Sequence, residues 1–160
     1  MESIAASLGA TKGSFYWHFR NREALVRAAL ELWQERATDA VVAELAAIDD
    51  PVARLRAVLA VAFEDDEGGR AHAALLASTD DAVVGPVVRQ ATQRRLAFLV
   101  ELFVDFGMPP AEATHRARLG YGAYIGWYSL QRAAPEHAPA DERDAYVAHV
   151  MHTLTAAAAD

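Results

Sequence analysis

The sequence predicts an all-α protein in which a helix-turn-helix N-terminal part is joined to a helical bundle. Helix N-caps, prolines at first helical positions and helix-ending glycines recur along the chain. Apolar residues recur at helical spacing, whereas strand patterns are nearly absent. The 160 residues are 53% hydrophobic and 23% charged, which supplies a sizeable core and excludes a disordered tail or a collagen-like fibre.

The N-terminal part begins with two short predicted helices, over residues 3–8 and 11–18. A tight turn at Gly9 joins them, which is the arrangement of a helix-turn-helix. Asn21 is the predicted N-cap of a third helix over residues 22–46, because its side chain can accept a free N–H of the first turn.

The remaining sequence predicts five more helices. Asp50 and Pro51 mark the start of the first, as an N-cap followed by a proline at the first helical position. The acidic residues 64–67 lack the alternating ligand spacing of a calcium loop, so we expect a solvated loop there. The helices that follow are predicted over residues 70–78, 86–106, 111–133 and 141–158.

Several classes of protein are excluded by what the sequence lacks. Cysteine is absent, which excludes disulfides, thiolate catalysis and cysteine-based metal sites. The longest informative uncharged run is far shorter than the ~20 residues of a membrane span, and no secretory signal pattern opens the chain. We therefore expect a cytoplasmic protein. Known catalytic motifs are also absent, so we expect no enzyme; the alternative is a helical enzyme using scattered Asp, Glu and His residues.

Charge is distributed unevenly along the chain. The formal net charge is −7, which argues against a generic nucleic-acid binder. Residues 1–30, however, carry four basic and two acidic side chains, a net charge of +2, so the rest of the chain carries −9. The only lysine of the protein, Lys12, lies in this basic segment. A weakly basic start joined to an acidic body suggests two functions in one chain, although an excess of two charges can also arise by chance.

The second short helix carries side chains suited to DNA. In a helix-turn-helix this helix enters the major groove with its N-terminal residues leading. Lys12 and the free N–H groups near Thr11 suit phosphates, and Gly13 allows close approach of the backbone. Contacts to phosphate, sugar or base edges are offered by Ser14, Tyr16, Trp17 and His18. The alternative interpretation is two ordinary packing helices.

Residues 4–25, IAASLGATKGSFYWHFRNREAL, resemble the TetR family of bacterial transcriptional regulators without a gap. The family pattern runs approximately I-A-x-x-x-G-V-S-K-G-x-L-Y-x-H-F-x-S-K-E-x-L. The resemblance implies that Arg22, in place of the family's lysine, meets a backbone phosphate, with a changed geometry. It implies DNA contacts at Thr11, Lys12, Gly13, Ser14, Tyr16, Trp17 and His18. A weaker resemblance, to a linker common in the family's C-terminal domains, continues at residues 106–118.

The family normally has a longer first helix ahead of the position of Ile4, which would cover the apolar side of the motif. We expect that the chain starts at an internal methionine of a longer protein. The alternative is a short form with impaired DNA binding, which would act as a dimeric helical ligand-binding or interaction module. In either case the resemblance implies a DNA-binding domain with its linker helix at residues 1–46 and a ligand-binding and dimerisation domain at residues 47–160.

TetR-like bodies bind a small effector between their helices, and apolar walls with a few polar anchors suit such a site. The alternative for each aromatic candidate is that it simply fills the core. The predicted pocket residues are Phe63, His72, Arg95, Phe98, Leu102, Tyr121, Tyr124, Trp127 and Tyr128.

The resemblance also implies a homodimer formed by the last two long helices. Gly122 and Gly126 lack side chains and would let a second backbone come close, and the last helix has two semi-apolar faces. The predicted interface residues are Gly122, Gly126, Ser129, His149, His152 and Ala156. His149 and His152, with His115 as a third ligand, could also bind a metal, but no acidic partner is placed by spacing, so we expect neither a metal nor a cofactor.

The predicted partners are therefore a double-stranded DNA operator, a second copy of the chain and a small, largely apolar effector, without a membrane. The predicted function is a DNA-binding regulator, of which repression is the family's usual mode. In the expected mechanism the effector favours a tilted linker helix, which separates the two recognition helices and lowers the affinity for DNA.

Overall fold

The computed structural model describes residues 17–156, and all regular secondary structure within that range is helical. The predicted all-α fold is thereby confirmed. The α-helices are α1 (Arg22–Gln34), α2 (Ala40–Ala46), α3 (Pro51–Glu64), α4 (Asp66–Leu76), α5 (Val84–Asp105), α6 (Pro110–Ala133) and α7 (Arg143–Thr155).

The predicted helix over residues 22–46 is present as a continuous run with an irregular turn near its middle. Asn21 caps it, since its Oδ1 accepts a hydrogen bond from the Ala24 N–H at 2.8 Å. Between α1 and α2 the segment Glu35–Asp39 is π-helical, and the junction residues on both sides keep right-handed helical dihedrals. We call residues 22–46 the linker helix and Glu35–Asp39 the π segment.

The prediction of an acidic loop at residues 64–67 is wrong, because three of these four residues are helical. Asp65 accepts a hydrogen bond from the Gly68 N–H at 2.9 Å and caps α4, so the helix begins at Asp66 rather than at residue 70. The negative charges of Asp66 and Glu67 favour the first turn of a helix. By contrast, the N-cap at Asp50 and the proline after it lie where the sequence predicted them.

The two longest helices, α5 and α6, form the most extensive helix pair in the described chain. A short turn connects them, in which Gly107 has φ 88° and the Met108 N–H donates to the Phe103 carbonyl at 3.1 Å. That positive φ is accessible to glycine at little cost, which explains why α5 ends here. The last helix starts at Arg143, after 3-10 turns at Pro135–His137 and Ala140–Glu142.

Most of the core lies between α3, α5, α6 and α7, with Phe63, Leu102, Phe103 and Tyr128 among its largest buried side chains. A smaller cluster joins Val42 and Leu45 of the linker helix to Phe98 of α5. The C-terminal half of the linker helix is therefore packed directly against the body.

Candidate functional site

A cavity of about 350 Å³ lies between the linker helix and helices α3, α5 and α6. This volume falls within the range of small-molecule sites. Its wall is mainly apolar and includes residues from α1, the π segment and α2 as well as from the body. Among the wall residues are Trp33, Ala37, Thr38, Val41, Val42, Leu45, Leu55, Val58, Leu59, Phe63, Phe98, Leu99, Phe103, Tyr121 and Tyr124.

Arg95 of α5 connects the cavity to the π segment. Its Nε donates a hydrogen bond to the Thr38 hydroxyl at 3.0 Å, and one terminal nitrogen donates to the Ala37 carbonyl at 2.8 Å. Its guanidinium carbon lies 5.4 Å from the ring centroid of Trp33 in α1, within the range of a cation–π contact. One charged side chain of the body therefore holds both α1 and the irregular turn.

His72 of α4 stands on the other side of this guanidinium. Its Nδ1 is 2.5 Å from a terminal nitrogen of Arg95, and its Nε2 is 3.1 Å from the Tyr121 hydroxyl. Because an arginine stays protonated and can only donate, the Nδ1 must accept, which leaves the proton of the neutral ring on Nε2. Burial, reinforced by the positive charge of Arg95, lowers the pKa of His72 to about 3.

Two tyrosines complete the polar cluster. The Tyr121 hydroxyl lies 3.2 Å from the Thr92 hydroxyl, and the Tyr124 hydroxyl lies 3.3 Å from His72 Nδ1. Burial raises the pKa of both tyrosines, so both stay neutral donors or acceptors at ordinary pH. The arrangement can therefore bind a polar group inside an apolar cavity, with Arg95 as the positive charge at its centre.

The structure brings five of the nine predicted pocket residues onto the cavity wall: Phe63, Arg95, Phe98, Tyr121 and Tyr124. His72 is not among the wall residues; it is 1% exposed and contacts Arg95, Tyr121 and Tyr124.

Three further predicted pocket residues are not among the wall residues of this cavity. Leu102 is fully buried in the main core. Trp127 stacks on Tyr146 with 4.8 Å between ring centroids, and the Tyr128 hydroxyl donates to the Ala62 carbonyl at 3.2 Å. Their helical spacing indicated burial but not which neighbour they face.

The contribution of the linker helix to the wall was missed from the sequence. Trp33, Val42 and Leu45 have ordinary apolar helix spacing, which gives no information on which partner covers them. Thr38, 1% exposed, is the one buried polar residue of this helix, and a threonine in a helix gives no signal of an arginine partner.

The predicted DNA-contacting residues lie at the edge of the described chain. Thr11, Lys12, Gly13, Ser14 and Tyr16 fall outside the described residues. Trp17, His18 and Arg22 are exposed, and the side chain of Trp17 meets His18 edge to face at 4.7 Å between centroids.

The predicted interface residues lie on α6, on α7 and at Ala156, which follows α7 as its C-cap. Gly122, Ser129, His149, His152 and Ala156 are exposed, and Gly126 is half-buried. A Cβ added at Gly122 or Gly126 would meet no atom of another described residue within 4 Å, so no neighbour in residues 17–156 requires these two glycines. On the same helix, Leu119 and Leu130 are 51% and 42% exposed.

Within residues 17–156 no group of three His, Asp or Glu side chains is placed to hold a metal ion. No helix of the described chain combines the length and apolar character needed to cross a membrane.

Comparison with known families gives one match. Residues 1–29 match the model of the bacterial regulatory proteins of the tetR family, which agrees with the resemblance of residues 4–25. No curated protein and no solved structure matches the chain significantly. The matched segment supports a regulator of transcription with a helix-turn-helix N-terminal part and covers less than a fifth of the chain.

Proposed function

We propose that this chain, similar to TetR-family regulators over residues 1–29, is a transcriptional repressor released from its operator by a small, largely apolar effector. The observation that carries the proposal is the composition of the cavity wall. Trp33, Val42 and Leu45 of the linker helix line the same cavity as Phe98 and Tyr124 of the body. A molecule in that cavity therefore contacts the segment that leads from the DNA-binding part to the body.

DNA binding is assigned to the first 22 residues. In this proposal Lys12 and Arg22 pair with phosphates, and the side chains of Tyr16, Trp17 and His18 lie against the groove or its edges. Arg22, Trp17 and His18 are exposed, as such contacts require. Residues 1–46 act as the DNA-binding domain with its linker, and residues 47–160 as the effector-binding and dimerisation domain.

The proposed regulator acts as a homodimer through α6 and α7. Support comes from the exposed leucines of α6, which lie beside two glycines that no neighbour among the described residues crowds. Two copies of such a surface can pack with two-fold symmetry, and this symmetry presents two recognition helices to a symmetric operator.

The coupling between effector and DNA follows from the packing of the linker helix. An effector that prefers a wider cavity shifts the population toward a state in which the linker helix leans away from α5. The two recognition helices then no longer match the operator spacing. By linkage, DNA must weaken effector binding by the same factor as the effector weakens DNA binding.

The test is a DNA-binding measurement with the purified chain and the DNA upstream of its own gene, by fluorescence anisotropy at fixed salt. We expect saturable binding of a dimer and a lower affinity for DNA with the cavity-narrowing substitution Val58→Phe, which mimics an occupied cavity. The control is Val104→Phe, because Val104 is an exposed residue of α5 that does not border the cavity. A dimer without affinity for DNA would contradict the proposal and favour the helical interaction module instead.

A further inference from the structure

The polar part of the cavity wall is concentrated around one cation. Apolar side chains such as Val42, Leu59 and Phe98 form most of the wall, whereas the Arg95 guanidinium is held by the Thr38 hydroxyl and the Ala37 carbonyl. Ligand sites commonly combine an apolar wall with a few placed polar groups that fix the orientation of the ligand.

No carboxylate among the described residues neutralises the charge of Arg95. Its hydrogen-bond partners are a hydroxyl, a carbonyl and the neutral ring of His72. No carboxylate of residues 17–156 pairs with it, because the ion pairs of the described chain involve other arginines and a histidine. A partly buried cation without a counter-ion is costly, and an anionic ligand removes that cost.

The guanidinium also retains a donor for a ligand. An arginine has five N–H groups; the contacts to Thr38, Ala37 and His72 use three of them, and a hydrogen bond to the Tyr124 hydroxyl uses a fourth. The planar fork of guanidinium N–H groups matches the two oxygens of a carboxylate. The neutral partners hold the guanidinium in place, so less conformational entropy is lost when an anion binds.

Two other charged residues border the cavity, Arg36 and Asp65. Both are exposed, and they have opposite charges, so together they add no net charge. The Asp65 carboxylate also accepts a hydrogen bond from the Gly68 N–H, as the N-cap of α4. The net charge that the wall offers to a ligand is therefore the single positive charge of Arg95, which favours a monoanion.

We propose that the effector of this cavity is an amphipathic monocarboxylic acid, whose carboxylate pairs with Arg95 and whose apolar body lies against Leu59 and Phe98. This inference rests on the proposed function only in calling the bound molecule an effector. The carboxylate recognition itself depends on the cavity alone.

The test compares three probes of equal chain length with the purified chain: decanoate, 1-decanol and decylamine, each measured by isothermal titration calorimetry at pH 8. We expect decanoate to bind about 10- to 100-fold more tightly than decanol, as a hydrogen-bonded charge pair predicts. We expect decylamine to bind more weakly than decanol, because its ammonium group would face a guanidinium of the same charge.

Two variants assign the preference to one residue. Arg95→Gln should bring the affinities for decanoate and decanol within about threefold of each other, whereas Arg36→Gln, at the exposed cation of the wall, should retain the preference. If Arg95→Gln does not fold, the comparison of acid and alcohol on the unchanged chain still decides. Equal affinities for acid and alcohol, tighter binding of the amine, or no binding of straight-chain acids of six to twelve carbons would each overturn the inference.

These measurements contain no DNA, so they fail or succeed independently of the proposed regulator. A chain that binds DNA but shows no preference for the acid refutes the ligand class alone. A chain that prefers the acid but never binds DNA refutes the regulator and leaves a carboxylate-binding module.

Discussion

At the scale of single residues, His72 and Arg95 determine the electrostatics of the cavity. Arg95 keeps its charge at every ordinary pH, and the imidazole next to it stays neutral because burial and that charge lower its pKa to about 3. The neutral ring accepts from Arg95 and donates to Tyr121, so a single tautomer satisfies both neighbours. If His72 were protonated, its Nδ1 would carry a hydrogen and could no longer accept the hydrogen bond from Arg95. Two positively charged donor groups would then face each other.

The first prediction concerns the pH dependence of stability. In the unfolded chain a histidine titrates near its usual value, whereas the folded chain does not protonate His72 until the pH approaches 3. The unfolded state therefore binds more protons as the pH falls below about 6.5, and stability is lost. We expect this one group to lower the free energy of unfolding by about 2 kcal/mol between pH 8 and pH 5.

Urea denaturation at both pH values checks this. From pH 8 to pH 5, the free energy of unfolding of the chain with His72→Gln should fall by about 2 kcal/mol less than that of the unchanged chain. His115→Gln, at an exposed histidine of α6, is the matched control and should keep the original dependence. The same loss with and without His72 would contradict the assigned pKa.

The second prediction concerns a single DNA contact. Lys12→Ala should weaken DNA binding for all sequences and reduce the slope of log affinity against log salt by about 1, because a phosphate contact releases one counterion. Arg94→Ala removes one positive charge from an exposed site of α5 and serves as the control. An unchanged salt slope for Lys12→Ala would remove this residue from the DNA interface.

At the scale of elements, the close approach of α4 to α6 depends on Gly69. A Cβ built at this position would lie 2.2 Å from ring atoms of Tyr128, whose side chain is fully buried and cannot move away. We expect Gly69→Ala to lower the free energy of unfolding by about 1–3 kcal/mol, as overpacking of a core does. Thermal and urea denaturation measure this loss.

A double-mutant cycle tests the mechanism. Tyr128→Leu removes the ring that the new methyl group would meet, so adding Gly69→Ala to that background should cost much less than in the unchanged chain. Equal costs in both backgrounds would show that the alanine acts through something other than Tyr128.

The elements also show which features could be read from the sequence. The N-caps at Asn21 and Asp50 and the helix end at Gly107 depend on bonds between residues a few positions apart, and all three were predicted. The π segment was not, because Arg95 contacts Thr38 across 57 positions of sequence. The start of α4 was also missed, since an acidic run fits a solvated loop as well as a first helical turn.

The candidate site was predictable in part for the same reason. Aromatic spacing in α6 indicated that Tyr121, Tyr124, Trp127 and Tyr128 face the interior; Trp127 and Tyr128 are buried, whereas the half-buried Tyr121 and Tyr124 border the cavity. Which of these four rings borders the cavity depends on the packing of α3, α4 and α7 around α6. Helical periodicity carries no information about that packing.

At the scale of the whole molecule, the proposed homodimer gives a further prediction. We expect Gly122→Glu to dissociate it, because a charged side chain would enter a surface that is proposed to receive a second copy. No other described residue lies within 4 Å of a Cβ at that position, so the fold of the single chain should tolerate the change. Sedimentation velocity at several concentrations distinguishes the monomer from the dimer.

Gln90→Glu adds the same charge at an exposed position of α5 and should leave the dimer intact. If Gly122→Glu remained dimeric with unchanged affinity, the interface would have to lie elsewhere on the molecule.

The π segment has a geometric consequence for the molecule as a whole. In a π turn the hydrogen bond joins residues five positions apart, whereas in an α turn it joins residues four apart. The π turn therefore contains one more residue than the α turn. Rewinding that turn as α would rotate α1 against α2 by about 100° and slide it by about 1.5 Å. Arg95 donates hydrogen bonds to Ala37 and Thr38 within this segment, so such a rewinding would break or displace these two bonds.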